Sequence, residues 1–234
     1  MHERRSFSGR TASLRLIWIF ALVVLIICGD QAMKIWVKTS FYLGEDLPLT
    51  SWWHLKFIEN NGMAFGLELW NKYFLTFGRI FAVIVFIWFV ISIIKQKNLR
   101  VGFFVSMGLI IAGAAGNIFD CVFYGKIFDN PMPPGVATIF PDGGGYAGWF
   151  EGRVVDMMYF PLFSFYWPDW FPVIGGRNFE FFQYIFNIAD ASICIGVFLL
   201  IFFYSPDAGR ALNSFGQKFK KYNANDNNKE ENTR

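Results

Sequence analysis

The sequence predicts an all-α integral membrane protein with four transmembrane helices. Hydrophobic residues make up 54% of its 234 residues and charged residues only 17%, whereas an average soluble domain has about 25% charge. Four apolar runs occur, at about 14–37, 73–94, 101–124 and 184–204. Each is close to the roughly 20 residues that a helix needs to cross ~30 Å of hydrocarbon. We therefore expect a single membrane domain over 1–234, with outer loops at 38–72 and 125–183 and a tail at 205–234.

The first apolar run could instead be a cleavable signal peptide, because an arginine-rich start precedes the segment from Leu16 to Cys28. A lipoprotein signal would have small residues before its cysteine, but Ile26 and Ile27 stand there. Apolar residues also resume after Asp30. These features favour a retained first helix.

Basic residues predict the orientation of the chain. They flank the start of the first run, the link between the second and third runs, and the end of the fourth run: Arg4, Arg5, Arg10, Arg15; Lys95, Lys97, Arg100; Arg210, Lys218, Lys220, Lys221. By the positive-inside rule, both termini lie in the cytoplasm and both long loops outside. The net charge of +3 therefore reflects topology, and no nucleic-acid partner is expected. The polar end from Asn223 to Arg234 is predicted to be disordered.

Cysteine spacing gives no sign of a metal site or a disulfide framework. The three cysteines, Cys28, Cys121 and Cys194, lie singly in or beside predicted spans. We treat them as small apolar residues and expect neither a metal nor a cofactor.

Several polar residues stand out near the membrane. Asp30 and Lys34 are four residues apart in the first run, so they share one helix face. They could form an ion pair, serve a functional role, or do both. Arg79 lies one to two turns inside the second run and could extend to the outer surface along its alkyl stem. Asn60 and Gly62 lie in an outer turn, which could be a plain hairpin or could offer an amide to a substrate backbone.

The third and fourth runs carry matching pairs of polar residues. Asn117 and Asp120 share a face at the end of the third run, after small residues that allow close helix packing. Asn187 and Asp190 have the same spacing at the start of the fourth run. This recurrence favours a site at these helix ends over packing alone.

Asp156 and Asp190 are the candidate catalytic residues. Each places a carboxylate beside a hydrophobic segment, where an unpaired charge is costly and usually functional. If the two converge, repulsion raises the pKa of one of them and the pair shares a proton near neutral pH. One carboxylate could then activate water while its protonated neighbour polarises a carbonyl. The alternative is that each aspartate caps a helix or turn.

With these residues aligned, the chain resembles the bacterial lipoprotein signal peptidase family, also called signal peptidase II. The resemblance runs from about Asp30 to Gly196 and rests on five blocks in family order: Asp30-Gln31-x-x-Lys34, Asn60-x-Gly62-x-Ala64-Phe65, Gly116-Asn117-x-x-Asp120, Gly152-x-Val154-x-Asp156 and Phe186-Asn187-x-Ala189-Asp190. Five ordered blocks on a profile of four helices make a chance match implausible.

The resemblance implies an aspartic endopeptidase of the bacterial inner membrane that removes signal peptides from diacylglyceryl-modified prolipoproteins. Its partners would be these lipidated substrates and membrane lipid, and it would act as a monomer with its active site near the extracytoplasmic face. Asp156 and Asp190 look like the catalytic pair. The supporting or substrate-binding residues would be Asp30, Lys34, Asn60, Gly62, Asn117, Asp120, Arg153 and Asn187. The family fold adds a small extracytoplasmic β-sheet, the cradle, and a short amphipathic outer helix.

Three departures from the family pattern matter. Cys121 replaces the arginine that usually follows the third-block aspartate, so any contact made by that arginine is absent or supplied elsewhere, with Arg153 as a candidate. Tyr184 replaces a proline before the last block. The segment 121–151 is longer than usual and rich in proline and glycine, which is typical of a flexible outer loop. We expect it to modify access to the site without supplying the chemistry.

Two other functional classes fit parts of the pattern. A transporter or channel also buries paired carboxylates, but this chain shows no inverted repeat and its carboxylates gather at one membrane face. A lipid-binding scaffold would explain the abundant aromatic residues but gives no reason for two aspartates in matched motifs.

Overall fold

The computed structural model describes residues 2–61 and 72–217, with side chains from residue 13 onward. Gly62, the turn that contains it and the end from Asn223 to Arg234 lie outside the described residues. Five helices occur in the described part of the chain: α1 His2–Ser40, α2 Lys72–Ile93, α3 Val101–Ile127, α4 Ile188–Phe203 and α5 Ser205–Gln217.

The helices confirm a mostly helical membrane protein. α1 from residue 13, α2 and α3 are each long and apolar enough to cross a bilayer. α4 and α5 meet at a bend of 89° and together form a fourth candidate span. α3 is the central helix. Half of the residues in its most apolar 18-residue segment are buried, whereas the buried share of the corresponding segment is 6% in α1 and 11% in α2.

A small antiparallel sheet covers one end of the bundle, as the resemblance implied. Its strands are β1 Asp46–Pro48, β2 His54–Asn60, β3 Val154–Tyr159 and β6 Ile185–Phe186, in that spatial order. We call this end of the bundle the sheet end. The described parts of the two long connections, 41–61 and 128–187, contain no amphipathic helix.

The fourth apolar run begins before its helix does. Ile185 and Phe186 pair with Tyr159 and Met158 of β3, so the chain is extended there. α4 starts only at Ile188. The predicted start at 184 was therefore too early, because strand pairing takes the first residues of the apolar run.

The insertion at 121–151 contacts the rest of the protein at several points, which the prediction of a flexible loop did not include. Backbone bridges join Tyr42 to Val136 and Phe128 to Ile139. Tyr146 donates its backbone N–H to the Phe128 carbonyl at 2.9 Å. These contacts align the insertion along the end of α3, although its proline and glycine content gave no sign of them.

A second hairpin leaves the sheet between β3 and β6. Its antiparallel strands are β4 Phe163–Tyr166 and β5 Asn178–Phe181. The rings of Phe163 and Phe181 stack across the pair, with their centroids 4.9 Å apart. The tip of the hairpin exposes Trp170, of which 78% is accessible.

The opposite end of the bundle is held by ion pairs. Asp207 of α5 is fully buried and pairs with Arg100 at 2.7 Å and with Arg210 at 2.8 Å. Arg15 of α1 donates to the Gln96 carbonyl at 2.7 Å. The first part of the predicted tail is therefore a packed helix, because Asp207 ties it to the link between α2 and α3.

Candidate active site

A buried lysine organises the polar residues beneath the sheet. Lys34 is fully buried, and its Nζ lies 2.8 Å from Asp30, 2.7 Å from Asp120 and 2.9 Å from Asn117. An ammonium group has three N–H donors, so these three acceptors match its full capacity. The predicted Asp30–Lys34 pair is thus part of a network that joins α1 to α3.

The same network reaches α4 and the sheet. Asp30 accepts a hydrogen bond from the backbone N–H of Ala189 at 2.9 Å. Asp120 accepts from Gln31 at 2.8 Å and, more weakly, from the backbone N–H of Val155 at 3.4 Å. Each carboxylate therefore links two elements that are distant in sequence.

The start of α4 is a capping box. The Asn187 side chain accepts from the Asp190 backbone N–H at 2.8 Å, and the Asp190 carboxylate accepts from the Asn187 backbone N–H at 3.5 Å. This arrangement satisfies donors that a helix N-terminus otherwise leaves unpaired. The capping role considered for Asp190 is therefore real, and it leaves the second carboxylate oxygen to accept from Asn117.

Two asparagines connect the candidate catalytic carboxylates. Asn187 donates to Asp156 at 2.7 Å, and Asn117 donates to Asp190 at 2.7 Å. Asn187 also donates to Asn117 at 3.2 Å. A continuous chain of hydrogen-bonded amides thus runs from Asp156 to Asp190. Lys34 donates to one of these amides, that of Asn117.

The electrostatics of Asp156 match this geometry. The residue lies on β3 opposite Ile58 and is only 2% exposed. Burial first, and then the nearby charge of Asp190, raise the pKa of the Asp156 carboxyl from its ordinary 3.8 to about 7, while Lys34 and hydrogen bonds from Asn187 and Asn60 oppose the rise. Asp156 is therefore the member of the pair that retains a proton near neutral pH.

Both aspartates line one cavity of about 410 Å³. Its polar groups are Asn60, Arg79, Asn117, Asp156 and Asp190, and its apolar wall comprises Ala82, Val83, Ala114, Ile118, Val154 and Ile193. Such a volume and such an apolar lining with few polar groups are typical of a ligand site.

Arg153 lies outside the lining of this cavity. Its guanidinium pairs with Glu59 at 2.8 Å and lies 5.0 Å from the ring centroid of Tyr146. Glu59 also pairs with the buried Lys38. Arg153 therefore belongs to a cluster that fastens the insertion to β2.

Arg79 is the cavity residue that sequence reasoning missed. The sequence allows it to extend to the outer surface, but its Nη1 lies 3.6 Å from Cys121 Sγ and it lines the cavity. Its spacing from Ala82 and Val83 places all three on one face of α2. That spacing was the available signal, but nothing in the sequence said which face met the site.

Comparison with solved structures agrees with this fold. Two bacterial membrane enzymes solved by the in meso method, at 2.3 and 1.9 Å resolution, superpose with TM-scores of 0.54 and 0.51. They cover 82% and 78% of this chain and 90% and 89% of their own, at 22% and 24% identity. The likeness shows a shared fold, that of a multi-pass bacterial membrane enzyme.

The family follows from the sequence comparisons. Residues 22–205 match the family described as signal peptidase (SPase) II. A lipoprotein signal peptidase of Porphyromonas gingivalis is 45% identical over 186 residues, which cover 80% of this chain and 82% of the relative. One from Amoebophilus asiaticus is 34% identical and covers 79% and 77%. The chain therefore belongs to the signal peptidase II family, and its activity is that of a lipoprotein signal peptidase, an aspartic peptidase.

Proposed function

We propose that the chain cleaves diacylglyceryl-modified prolipoproteins immediately N-terminal to the lipidated cysteine, with Asp156 and Asp190 as the catalytic pair. The observation that carries the proposal is the shared cavity of the two carboxylates, which the Asn187 and Asn117 amides link. The substrate would enter from the lipid of the bacterial inner membrane, with both termini of the enzyme in the cytoplasm. The enzyme would work as a monomer.

The two aspartates would have different roles. Asp156 holds the proton of the pair, because its pKa is raised to about 7, and it would donate a hydrogen bond to the scissile carbonyl. Asp190 lies in the first turn of α4, where the helix dipole favours a negative charge. Asp190 would accept a proton from the attacking water, whose oxygen bonds to the carbonyl carbon. That proton would then pass to the leaving amine of the lipidated cysteine as the peptide bond breaks.

The supporting residues would hold the carboxylates of Asp156 and Asp190 in position. Asn117 and Asn187 hold the carboxylates, and Lys34 fixes Asn117 together with Asp30 and Asp120. An amide does not titrate, so the links between the carboxylates persist while the proton moves. Asn60 lines the cavity and would offer its amide to the substrate backbone. Gly62, two residues further along the sequence, is also proposed as a supporting residue.

Asp156→Asn and Asp190→Asn test the assignment. Each replacement keeps the side-chain shape but removes a proton-transfer partner, so cleavage of a synthetic diacylglyceryl lipopeptide should fall by at least ~10²–10⁴-fold. The rate would be measured by mass spectrometry on the full chain in detergent, with thermal unfolding as a check on folding. Asp142→Asn, in an exposed turn of the insertion, is the matched control and should cleave normally. Near-normal cleavage by either folded catalytic variant would refute the dyad.

A further inference from the structure

Arg79 places a permanent positive charge inside a candidate membrane span. It lies in α2, a helix long and apolar enough to cross a bilayer. A charged group at such a position is costly unless it faces a cavity or a partner. Arg79 faces the cavity that holds Asp156 and Asp190, together with Ala82 and Val83 of the same helix face.

The contact with Cys121 orients the guanidinium toward α3. The distance from Nη1 to Sγ is 3.6 Å, and Cys121 is 1% exposed. A thiol sulfur is only a weak acceptor. A substrate oxygen in the cavity would therefore be a far better acceptor for this guanidinium than the thiol beside it.

Groups other than Arg79 set the pKa of Asp156, the member of the pair that holds the proton. Burial, Asp190, Lys34, Asn187 and Asn60 are the main influences on the pKa of Asp156. Arg79 instead shares the cavity with the apolar wall described above and with the two aspartates. A guanidinium has five N–H donors, so Arg79 can contact Cys121 and still donate to a group bound in the cavity that it lines.

We infer that Arg79 is a substrate-positioning residue whose guanidinium donates hydrogen bonds to a carbonyl oxygen of the bound substrate. The inference rests on the proposed function, because it concerns the same cavity. The carbonyl belongs either to the peptide backbone near the scissile bond or to an acyl ester of the lipid. Both are neutral oxygen acceptors. Position 121 on α3 carries a thiol and no guanidinium, so Arg79 would reach the carbonyl from α2.

Arg79→Gln tests this role through substrate binding. A hydrogen bond to a charged group is worth roughly 1.5–3 kcal/mol, so we expect KM to rise about 10-fold to 100-fold. The alkaline limb of the pH profile should not move, because groups other than Arg79 determine the pKa of Asp156. Arg79→Lys, which keeps the charge but not the planar fork, should give an intermediate KM. Binding of the lipopeptide to Asp156→Asn, with and without Arg79→Gln, measures the same loss without turnover.

Two lipopeptides distinguish the carbonyl sources. One carries the natural diacyl ester and the other a dialkyl ether analogue that lacks ester carbonyls. A penalty for Arg79→Gln that persists with the ether identifies a peptide carbonyl. A penalty that vanishes with the ether identifies the lipid ester.

Cys121→Ala and the double variant Arg79→Gln with Cys121→Arg complete the design. If Arg79 acts on the substrate, loss of the thiol should change KM far less than Arg79→Gln does, and an arginine at 121 should recover at least part of the lost binding. If Cys121→Ala reproduces the effect of Arg79→Gln, the contact is only a tie between helices and the inference is wrong. An unchanged KM in Arg79→Gln, or a shifted alkaline limb, would also overturn it. Failure of the catalytic assignment would appear separately, as cleavage by Asp156→Asn with Arg79 intact.

Discussion

At the residue scale, the site depends on a lysine that contacts neither candidate catalytic carboxylate in the described hydrogen bonds. Lys34 holds Asp30, Asp120 and Asn117 at distances of 2.7–2.9 Å. Asn117 in turn donates to Asp190. The ammonium therefore pairs with two buried carboxylates at once and orients the amide that donates to a third.

Lys34→Met should strongly destabilise the protein. The change leaves Asp30 and Asp120 buried without their common cation, and breaking a buried pair in this way typically costs about 3–5 kcal/mol. Unfolding by SDS titration in mixed micelles would measure the loss. Lys56→Met is the control, since Lys56 pairs with Asp46 at 3.7 Å and both are about one-third exposed. Its loss should be within about 1 kcal/mol, and equal effects of the two variants would contradict the role of Lys34.

The pH dependence of cleavage follows from the raised pKa of Asp156. Below about pH 7 its carboxyl is protonated and can polarise the scissile carbonyl. Above that value Asp156 loses its proton and can no longer polarise the carbonyl, so kcat should fall about tenfold per pH unit. The rate at saturating lipopeptide, measured from about pH 6 to 9, checks this expectation. A rate that rises steadily through this range would show that Asp156 does not act as the acid.

The same proton also affects folding stability. A carboxyl whose pKa is higher in the folded state than in the unfolded state favours folding at low pH, and this contribution is lost as pH rises through about 7. Thermal unfolding at each pH therefore separates a loss of catalysis from a loss of fold.

At the element scale, close contact between α3 and α4 sets the distance between their polar residues. Gly113 packs against α4 so tightly that a Cβ there would lie 2.1 Å from the Ala189 carbonyl oxygen and 2.7 Å from the Ile193 side chain. Gly116 faces the Asp30 carboxylate and Ala189 in the same contact. Small residues on α3 are thus what allows Asn117 to reach Asp190.

Gly113→Ala should separate these helices and weaken the site. The added methyl meets backbone, which cannot move alone, so overpacking should cost about 1–3 kcal/mol. Cleavage should fall at least about tenfold as the Asn117–Asp190 bond lengthens. Gly209→Ala in α5 is the matched control, because a Cβ there meets nothing within 4 Å. It should be neutral or slightly stabilising. Normal activity in Gly113→Ala would show that the contact does not hold the site.

At the scale of the whole molecule, the two ends of the bundle differ in charge and structure. The sheet and the cavity lie at one end, and the arginines that bind Gln96 and Asp207 lie at the other. Because cytoplasmic ends carry the excess of arginine and lysine, the sheet end should face the extracytoplasmic side. This is where an exported substrate would present its cleavage site.

Reporter fusions test this orientation. A reporter fused after Arg234 should be active in the cytoplasm, and one inserted at the exposed Gly144 should be active outside. This turn has space for an insertion, because both glycines are exposed and a Cβ at Gly143 would meet nothing within 4 Å. The opposite pattern would place the aspartates on the wrong side of the membrane for an exported prolipoprotein.

The sequence by itself determined the membrane class and most of the candidate site. The length of an apolar run shows whether a helix can cross the bilayer. That length is a property of each segment alone. The aspartates and asparagines were recognisable because charge and amide groups beside such runs are costly. The family blocks then placed them in order. Asp30, Lys34, Asn117, Asp120, Asp156, Asn187 and Asp190 all lie in the network that the structure contains.

Only the tertiary structure decided which distant groups meet. Arg79 faces Cys121 and Arg153 faces Glu59 because of how α2 and β3 pack, and no local pattern encodes that choice. Strand pairing delays the start of α4, and Asp207 draws α5 onto the bundle. The insertion is likewise held by bridges to segments far away in sequence. The physical reason is the same in each case: hydropathy and spacing act within a segment, whereas hydrogen bonds and ion pairs form between segments that folding has brought together.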